Sequence, residues 1–180
     1  MSEHDDLQQA IEHLNASKNG FQWDDHDVAS PEDEHFDVLC FTNHGHRYAF
    51  LGEDVREVIG KTTLTPLPGS PVYIEGVMIH RRHVIGVLNL NMWLYPDQHW
   101  AQEDQDRIIL VEQGSFSAGI HAGQRAHIEQ WPQSSLEHPG MDILSTRVKA
   151  YCLGVQEDEE QQAILLLNIR KILEDAAIRG

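Results

Sequence analysis

The sequence predicts a mainly β fold, small barrels or a sandwich, closed by a C-terminal helix. Two observations carry that prediction. From Phe36 onward, short apolar runs follow one another at close spacing, separated by Gly-, Pro- and acid-rich turns, as short antiparallel strands are. The connections between these runs are too short for the crossover helices that a parallel α/β sheet requires. Helical periodicity is confined to the two ends and a brief stretch in the middle.

The first 34 residues differ from the rest. Leu7, Ile11 and Leu14 recur at helical spacing, with Ser2 available as a cap and Gly20 as a stop. The stretch Asp24 to Glu34 is acid-rich and contains Pro31. Residues 1–34 are therefore expected to form an extension, a short amphipathic helix plus an acidic linker. A partly disordered tail is the alternative, because so narrow an apolar stripe does not hold a helix alone. Residues 35–180 are expected to be the folded domain, made of two β subdomains.

Within that domain, Phe36-Asp37-Val38-Leu39-Cys40-Phe41 reads as a strand and Asn43-His44-Gly45-His46 as a hairpin turn, with Gly45 supplying positive φ. Arg47 to Leu51 returns, and Gly52-Glu53-Asp54 turns again. Val55-Arg56-Glu57-Val58-Ile59 has the alternation of a half-buried strand, which places Val55 and Val58 on opposite faces and Glu57 on the polar one. Pro66, Pro68, Gly69 and Pro71 mark an extended loop. Val77-Met78-Ile79 and Val84 to Leu88 read as a hairpin with Arg81 and Arg82 at its tip. Asn89 is placed to cap a short helix through Met92, Trp93 and Leu94. Arg107 to Val111 and Ser115 to Ala122 are expected strands joined by Gln113-Gly114. Residues 123–146 give no clear pattern. Val148 to Val155 and Gln161 to Leu167 are expected strands, and a helix runs from Asn168 to about Ile178 with Ile169, Ile172, Leu173 and Ala176 on one face.

Charge narrows the partners. There are 29 acidic residues against 13 basic ones, a formal charge of −16. Duplex affinity rests on Lys and Arg neutralising phosphates, so nucleic acid is excluded as a partner, and an anionic membrane surface is disfavoured for the same reason. A basic patch on another protein remains compatible. Cys40 and Cys152 each lie in an apolar run, the setting of buried free thiols rather than a disulfide framework. Met1 to Asp6 lacks a basic flank and an apolar core, and no apolar run approaches the ~20 residues of a spanning helix. A cytoplasmic protein is expected.

The segments Val55-Arg56-Glu57-Val58-Ile59, Thr65-Pro66-Leu67-Pro68-Gly69-Ser70-Pro71 and Tyr73-Ile74-Glu75-Gly76-Val77 resemble the signature of CheW-like domains, and Val148 to Leu173 resembles that family's closing hairpin and helix. The resemblance spans roughly residues 36–175. It implies two five-stranded SH3-like barrels packed together, with no catalytic activity and no cofactor. It also implies an adaptor that joins the regulatory domain of a CheA-type histidine kinase to the cytoplasmic tip of methyl-accepting chemoreceptors, and so an association with membrane-bound receptor arrays. The matching positions of the family's partner-binding region fall on Val55, Glu57, Gly76 and Arg81; Val58 and Arg82 complete the candidate set. An aliphatic side chain exposed beside Glu57 and Arg81 would suit an interface core with a polar rim. The sequence departs from the family where Arg82 stands for Gly, Gly86 for Pro, Asn89 for Asp, and Ala122-Gly123 for Val-Asp. Those departures suggest a paralogue of a separate chemosensory system, such as one controlling pili. The alternative is a divergent domain that localises or modulates a kinase without ordinary receptor binding, through its N-terminal extension.

Other chemistries find less support. His44 with His46, and His80 with His83, invite a metal reading, but Arg81 and Arg82 repel a cation and spacing supplies no third ligand. Solvated surface histidines are the expectation, with pH sensing only a minor alternative to it. Ser115, Ser117 and His121 lack the elbow of a nucleophilic serine. There is no P-loop, dinucleotide fingerprint or zinc-protease helix. Trp93 is expected beneath the central helix, and Trp23 and Trp131 in core or loop packing.

Overall fold

The computed structural model describes residues 34–60, 62–100, 107–114, 116–123, 125–137, 144–158 and 160–179. The expected N-terminal helix and most of the acidic linker, with Trp23, lie outside these residues. Ten strands form two five-stranded sheets. β1 (His35–Asn43), β2 (His46–Leu51), β8 (Ala126–Pro132), β9 (Cys152–Glu157) and β10 (Ala163–Leu167) make sheet A, in the order β8-β1-β2-β10-β9. β3 (Val55–Gly60), β4 (Ile74–His80), β5 (His83–Leu88), β6 (Arg107–Gln113) and β7 (Phe116–Ala122) make sheet B, in the order β3-β6-β7-β5-β4. Sheet B is thus inserted whole between β2 and β8 of sheet A.

Each sheet curls almost to closure. Its two end strands are tied by one isolated bridge from a loop that follows an end strand. In sheet B, Thr65 and Val77 exchange backbone hydrogen bonds of 2.8 and 2.9 Å; in sheet A, Glu137 and Val155 exchange two of 2.9 Å. A glycine permits each approach. Gly76 has φ +151°, and a Cβ there would lie 2.6 Å from the Thr65 carbonyl oxygen, while one on Gly154 would meet Leu136 at 3.0 Å.

Three apolar clusters fill this architecture. Val38, Cys40, Ala49, Trp131, Ile164 and Leu166 fill the inside of sheet A, and Met78, Ile85, Val87, Ile108 and Leu110 the inside of sheet B. The largest cluster lies between the sheets: Leu39, Phe41, Tyr48 and Phe50 of A meet Val55, Val58, Ile109, Val111 and Ile120 of B. Three short helices seal its rim: α1 (Leu90–Leu94), α2 (Thr146–Lys149) and α3 (Ile169–Arg179). Asn89 caps α1 as its sequence position predicts, its side chain accepting from Met92 N at 3.1 Å. Trp93 and Trp131 are both buried. Cys40 is buried, Cys152 half-buried, and both are free thiols.

Two expectations need correction. The run Val148 to Val155 is not one strand. The Ser145 hydroxyl caps α2, and Arg147 donates from Nε to the Trp93 carbonyl at 2.5 Å with its guanidinium 5.0 Å over the indole, so the strand begins only at Cys152. The patternless stretch 123–146 contains β8, paired along β1. The sheets are otherwise antiparallel, as a mainly β fold with short connections implies, and each includes one parallel pair, β2 with β10 and β5 with β7. These join strands far apart in sequence, so no short crossover is needed.

Because the Gly76 backbone closes sheet B, Gly76→Ala should destabilise the protein by about 2 kcal/mol or more, through the Cβ clash and the positive φ. Gly86→Ala, where a Cβ meets nothing within 4 Å, should stay within about 0.5 kcal/mol. Urea unfolding of both variants checks the contrast.

Candidate functional site

The candidate residues converge on one end of sheet B, but not as the alternation along β3 predicts. β3 carries a bulge: Val55 pairs with Val111, while Glu57 pairs with Leu110 and Val58 with Ile109. The extra residue, Arg56, shifts the strand's phase, so Val55 and Val58 point the same way. Both enter the core between the sheets, 1% and 0% exposed. The expectation that one of them is exposed is therefore overturned.

Glu57 is also not free on a polar face. It is buried, and both its oxygens are engaged: Oε1 accepts from Arg81 Nη2 at 2.9 Å, and Oε2 lies 3.2 Å from His80 Nε2. A buried carboxylate requires such partners, since its desolvation is costly when unpaired. Arg81 reaches back over the strand to supply the charge, leaving most of its side chain in solvent.

The tip of the β4–β5 hairpin is a two-residue turn with positive φ at both central positions, Arg81 at 46° and Arg82 at 72°. That is the backbone twist which suits tight hairpins, and it normally selects Gly or Asn. Here two arginines hold it. Arg82 is exposed and makes no ion pair among the described residues. Its left-handed φ costs about 1 kcal/mol relative to Gly.

Beside the tip stands a feature that the sequence pattern had not singled out. Ile79 and Val84 are a cross-strand pair, 80% and 71% exposed. Met78 and Ile85, the next pair, point into sheet B, so alternation forces Ile79 and Val84 outward. The signal was legible: in a hairpin, consecutive apolar residues such as Val77-Met78-Ile79 cannot all be inside. Val84 adjoins a groove of about 400 Å³ between β5, β7 and α3, lined by Gly86, Leu88, Ala118, Leu173 and Ala176. Gly86, where a Cβ would meet nothing within 4 Å, leaves the groove open at this point.

Gly76 lies buried at the root of the hairpin, under the Thr65 bridge. A second bulge, at Glu75, turns that carboxylate toward Asn89 and His121. Asn89 Nδ2 donates to Glu75 Oε1 at 2.5 Å, and His121 Nδ1 contacts Oε2. An aspartate in place of Asn89 would still cap α1 but would set two carboxylates together, which accounts for the amide.

His83 is exposed at the tip, opposite His80, while the other histidine pair of the sequence argument lies elsewhere. His44 and His46 sit in an aromatic cluster with Tyr95 and Trp100, His46 stacking on Tyr95 at 5.2 Å between centroids. Burial, then the neighbouring His44, lowers the His46 pKa and favours its neutral ring.

Comparison with known proteins places this geometry. Residues 37–177 match the CheW-like domain family. The chain is 33% identical to protein FrzA of Myxococcus xanthus over 153 residues, 84% of this chain and 92% of FrzA. It is 26% identical to the chemotaxis protein CheV3 of Helicobacter pylori over 125 residues, spanning 67% of this chain and 39% of CheV3. The fold matches the crystal structure of the scaffolding protein TtCheW of Thermoanaerobacter tengcongensis with a TM-score of 0.64 at 21% identity, over 79% of this chain and 90% of that one.

If the turn is strained as its dihedrals indicate, Arg82→Gly should raise stability by about 1 kcal/mol. Denaturant midpoints for the parent and the variant test this, and an unchanged or lowered midpoint counts against the strain.

Proposed function

The chain belongs to the CheW-like domain family, scaffolds of chemosensory signalling rather than enzymes, and from that premise we propose that it couples a CheA-type histidine kinase to chemoreceptors. The observation that carries the proposal is the exposed pair Ile79 and Val84 beside two arginines. Apolar side chains at the centre with charge at the rim are the composition of a protein interface core, and solvated β-branched pairs of this exposure are otherwise a liability on an end strand. β4 is an end strand of sheet B, so its hairpin is free to be covered.

The candidate residues take distinct parts in this reading. Arg81, Arg82, Ile79 and Val84 meet the partner. Glu57 holds Arg81 in place, Gly76 fixes the root of the hairpin, and Val55 and Val58 support it from the core. The groove beneath α3 extends the surface. Arg82 in place of the family's Gly and Gly86 in place of its Pro alter both the tip and the groove, so a partner would feel the difference there first. Away from the arginine tip, the chain's net negative charge suits a basic counterpart on that partner. Among the described residues no helix is long and apolar enough to cross a membrane, and attachment to a receptor array would run through protein contacts.

Binding of the purified regulatory domain of a CheA-type kinase, and of the cytoplasmic tip of a receptor, tests the proposal by titration. Arg81→Ala should cost about 2 kcal/mol or more in binding to at least one of them, as truncation of a hot-spot arginine does. Val84→Asp should weaken the same binding about tenfold or more, about 1.4 kcal/mol, without unfolding so exposed a position. If both variants bind both partners like the parent, the hairpin is not the interface.

A further inference from the structure

Outside the hairpin, three unlike ligand groups converge at the open end of sheet A. Cys40 on β1 stands directly opposite His127 on β8, and Glu129 lies two residues along β8 on the same face. The Cys40 sulfur, a His127 ring nitrogen and a Glu129 carboxylate oxygen all lie within 4.8 Å of one another. They share a pocket of about 250 Å³ that opens to solvent past His127. We propose that Cys40, His127 and Glu129 form a binding site for a divalent transition-metal cation of the zinc class, with its remaining position open to water.

The donor set fits that ion. Thiolate, imidazole and carboxylate are its common protein ligands, and three of them with an open fourth position is a familiar coordination. The sites are held on a paired ladder rather than on loops. A supporting partner is also in place: Trp131 Nε1 donates to Glu129 Oε2 at 2.7 Å, leaving Oε1 directed at His127 Nε2, 2.6 Å away. Such an outer hydrogen bond orients a ligating carboxylate. Burial pushes the Glu129 pKa up, but the hydrogen bonds from Trp131 and His127 outweigh it, and the net shift is downward.

The charged neighbours permit a cation. Arg47 also lines the pocket, but it is paired with Asp158 and, at 3.0 Å, with Glu160. Arg125, an exposed residue, lines the rim of the same pocket. Burial, then Glu129, raises the Cys40 pKa, so the metal-free thiol is protonated. Binding therefore breaks the Cys40 S–H bond: the sulfur's electron pair goes to the metal and the proton to solvent, while the His127 Nε2 proton that Glu129 accepts moves by way of solvent to Nδ1, so that the freed Nε2 lone pair and the carboxylate both turn to the metal. The site and the hairpin lie on different sheets, so this inference stands or falls apart from the proposed adaptor role.

Cobalt(II) added to the chelator-treated full chain is the direct probe, because a cobalt–thiolate bond gives a near-ultraviolet charge-transfer absorption. The parent should show that band, and zinc should displace it. His127→Gln, at a largely exposed strand position, should weaken cobalt binding at least about tenfold, as should Glu129→Gln. Cys40→Ser should abolish the band, while Cys152→Ser should leave it intact. No band in the parent, a band that survives Cys40→Ser, or equal affinity in His127→Gln and the parent would overturn the site.

Discussion

The structure depends on the apolar layer between its two sheets. Leu39, Phe41, Tyr48 and Phe50 on one side and Val55, Val58, Ile109, Val111 and Ile120 on the other leave water together. Neither sheet can shed that face alone. Each has a second, smaller core of its own, so strands such as β1 are buried on both faces and read as continuous apolar runs. The interleaved chain path enforces the arrangement, since sheet A is completed only after the chain has built all of sheet B. One buried chain of polar groups crosses the joint: Tyr48 OH donates to Asn91 Oδ1 at 2.7 Å, Asn91 Nδ2 to the Asn43 carbonyl at 3.1 Å, and Asn43 Nδ2 to the His121 carbonyl at 2.9 Å. A buried chain of this kind specifies how the sheets meet because no member can be left unpaired cheaply.

That shared core leaves the β4–β5 hairpin at the far side of sheet B, where it is braced but uncovered. The brace is ionic. Glu57 is drawn inside by the β3 bulge and must be neutralised, and Arg81 does so from the turn. The bulge thereby links the core positions Val55 and Val58 to the orientation of the tip. A substitution at either valine would reach a partner indirectly, by moving Glu57 and hence Arg81. The groove beside the tip rests on the same packing, because Leu88 and Leu173 line it and also belong to the core.

Much of this was legible in the sequence. The turn at Asn43 to His46 follows from Gly45, the α1 cap from Asn89, and the arginine tip from the polar break in an apolar run. What local pattern does not carry was missed. A bulge adds one residue without changing composition, so alternation along β3 puts Val55 and Val58 on opposite faces where the structure puts them on the same one. β8 has weak alternation, ends in Pro132, and spends His127 and Glu129 on a polar pocket, so it does not look like a strand. Ser145, at the end of the patternless stretch, starts a helical turn that runs on into the strand expected from Val148. The parallel pairs join residues far apart in sequence, which no window along the chain can see.

The claim that the hairpin is the working surface is most directly tested by amide hydrogen exchange of the chain with and without a CheA-type kinase regulatory domain or a receptor tip. The account predicts that a bound partner slows exchange across residues 77–86 and at the groove beneath α3, and leaves the outer edge of β8 unchanged. Protection confined to β8 and β9, with the hairpin exchanging as in the free protein, would contradict it.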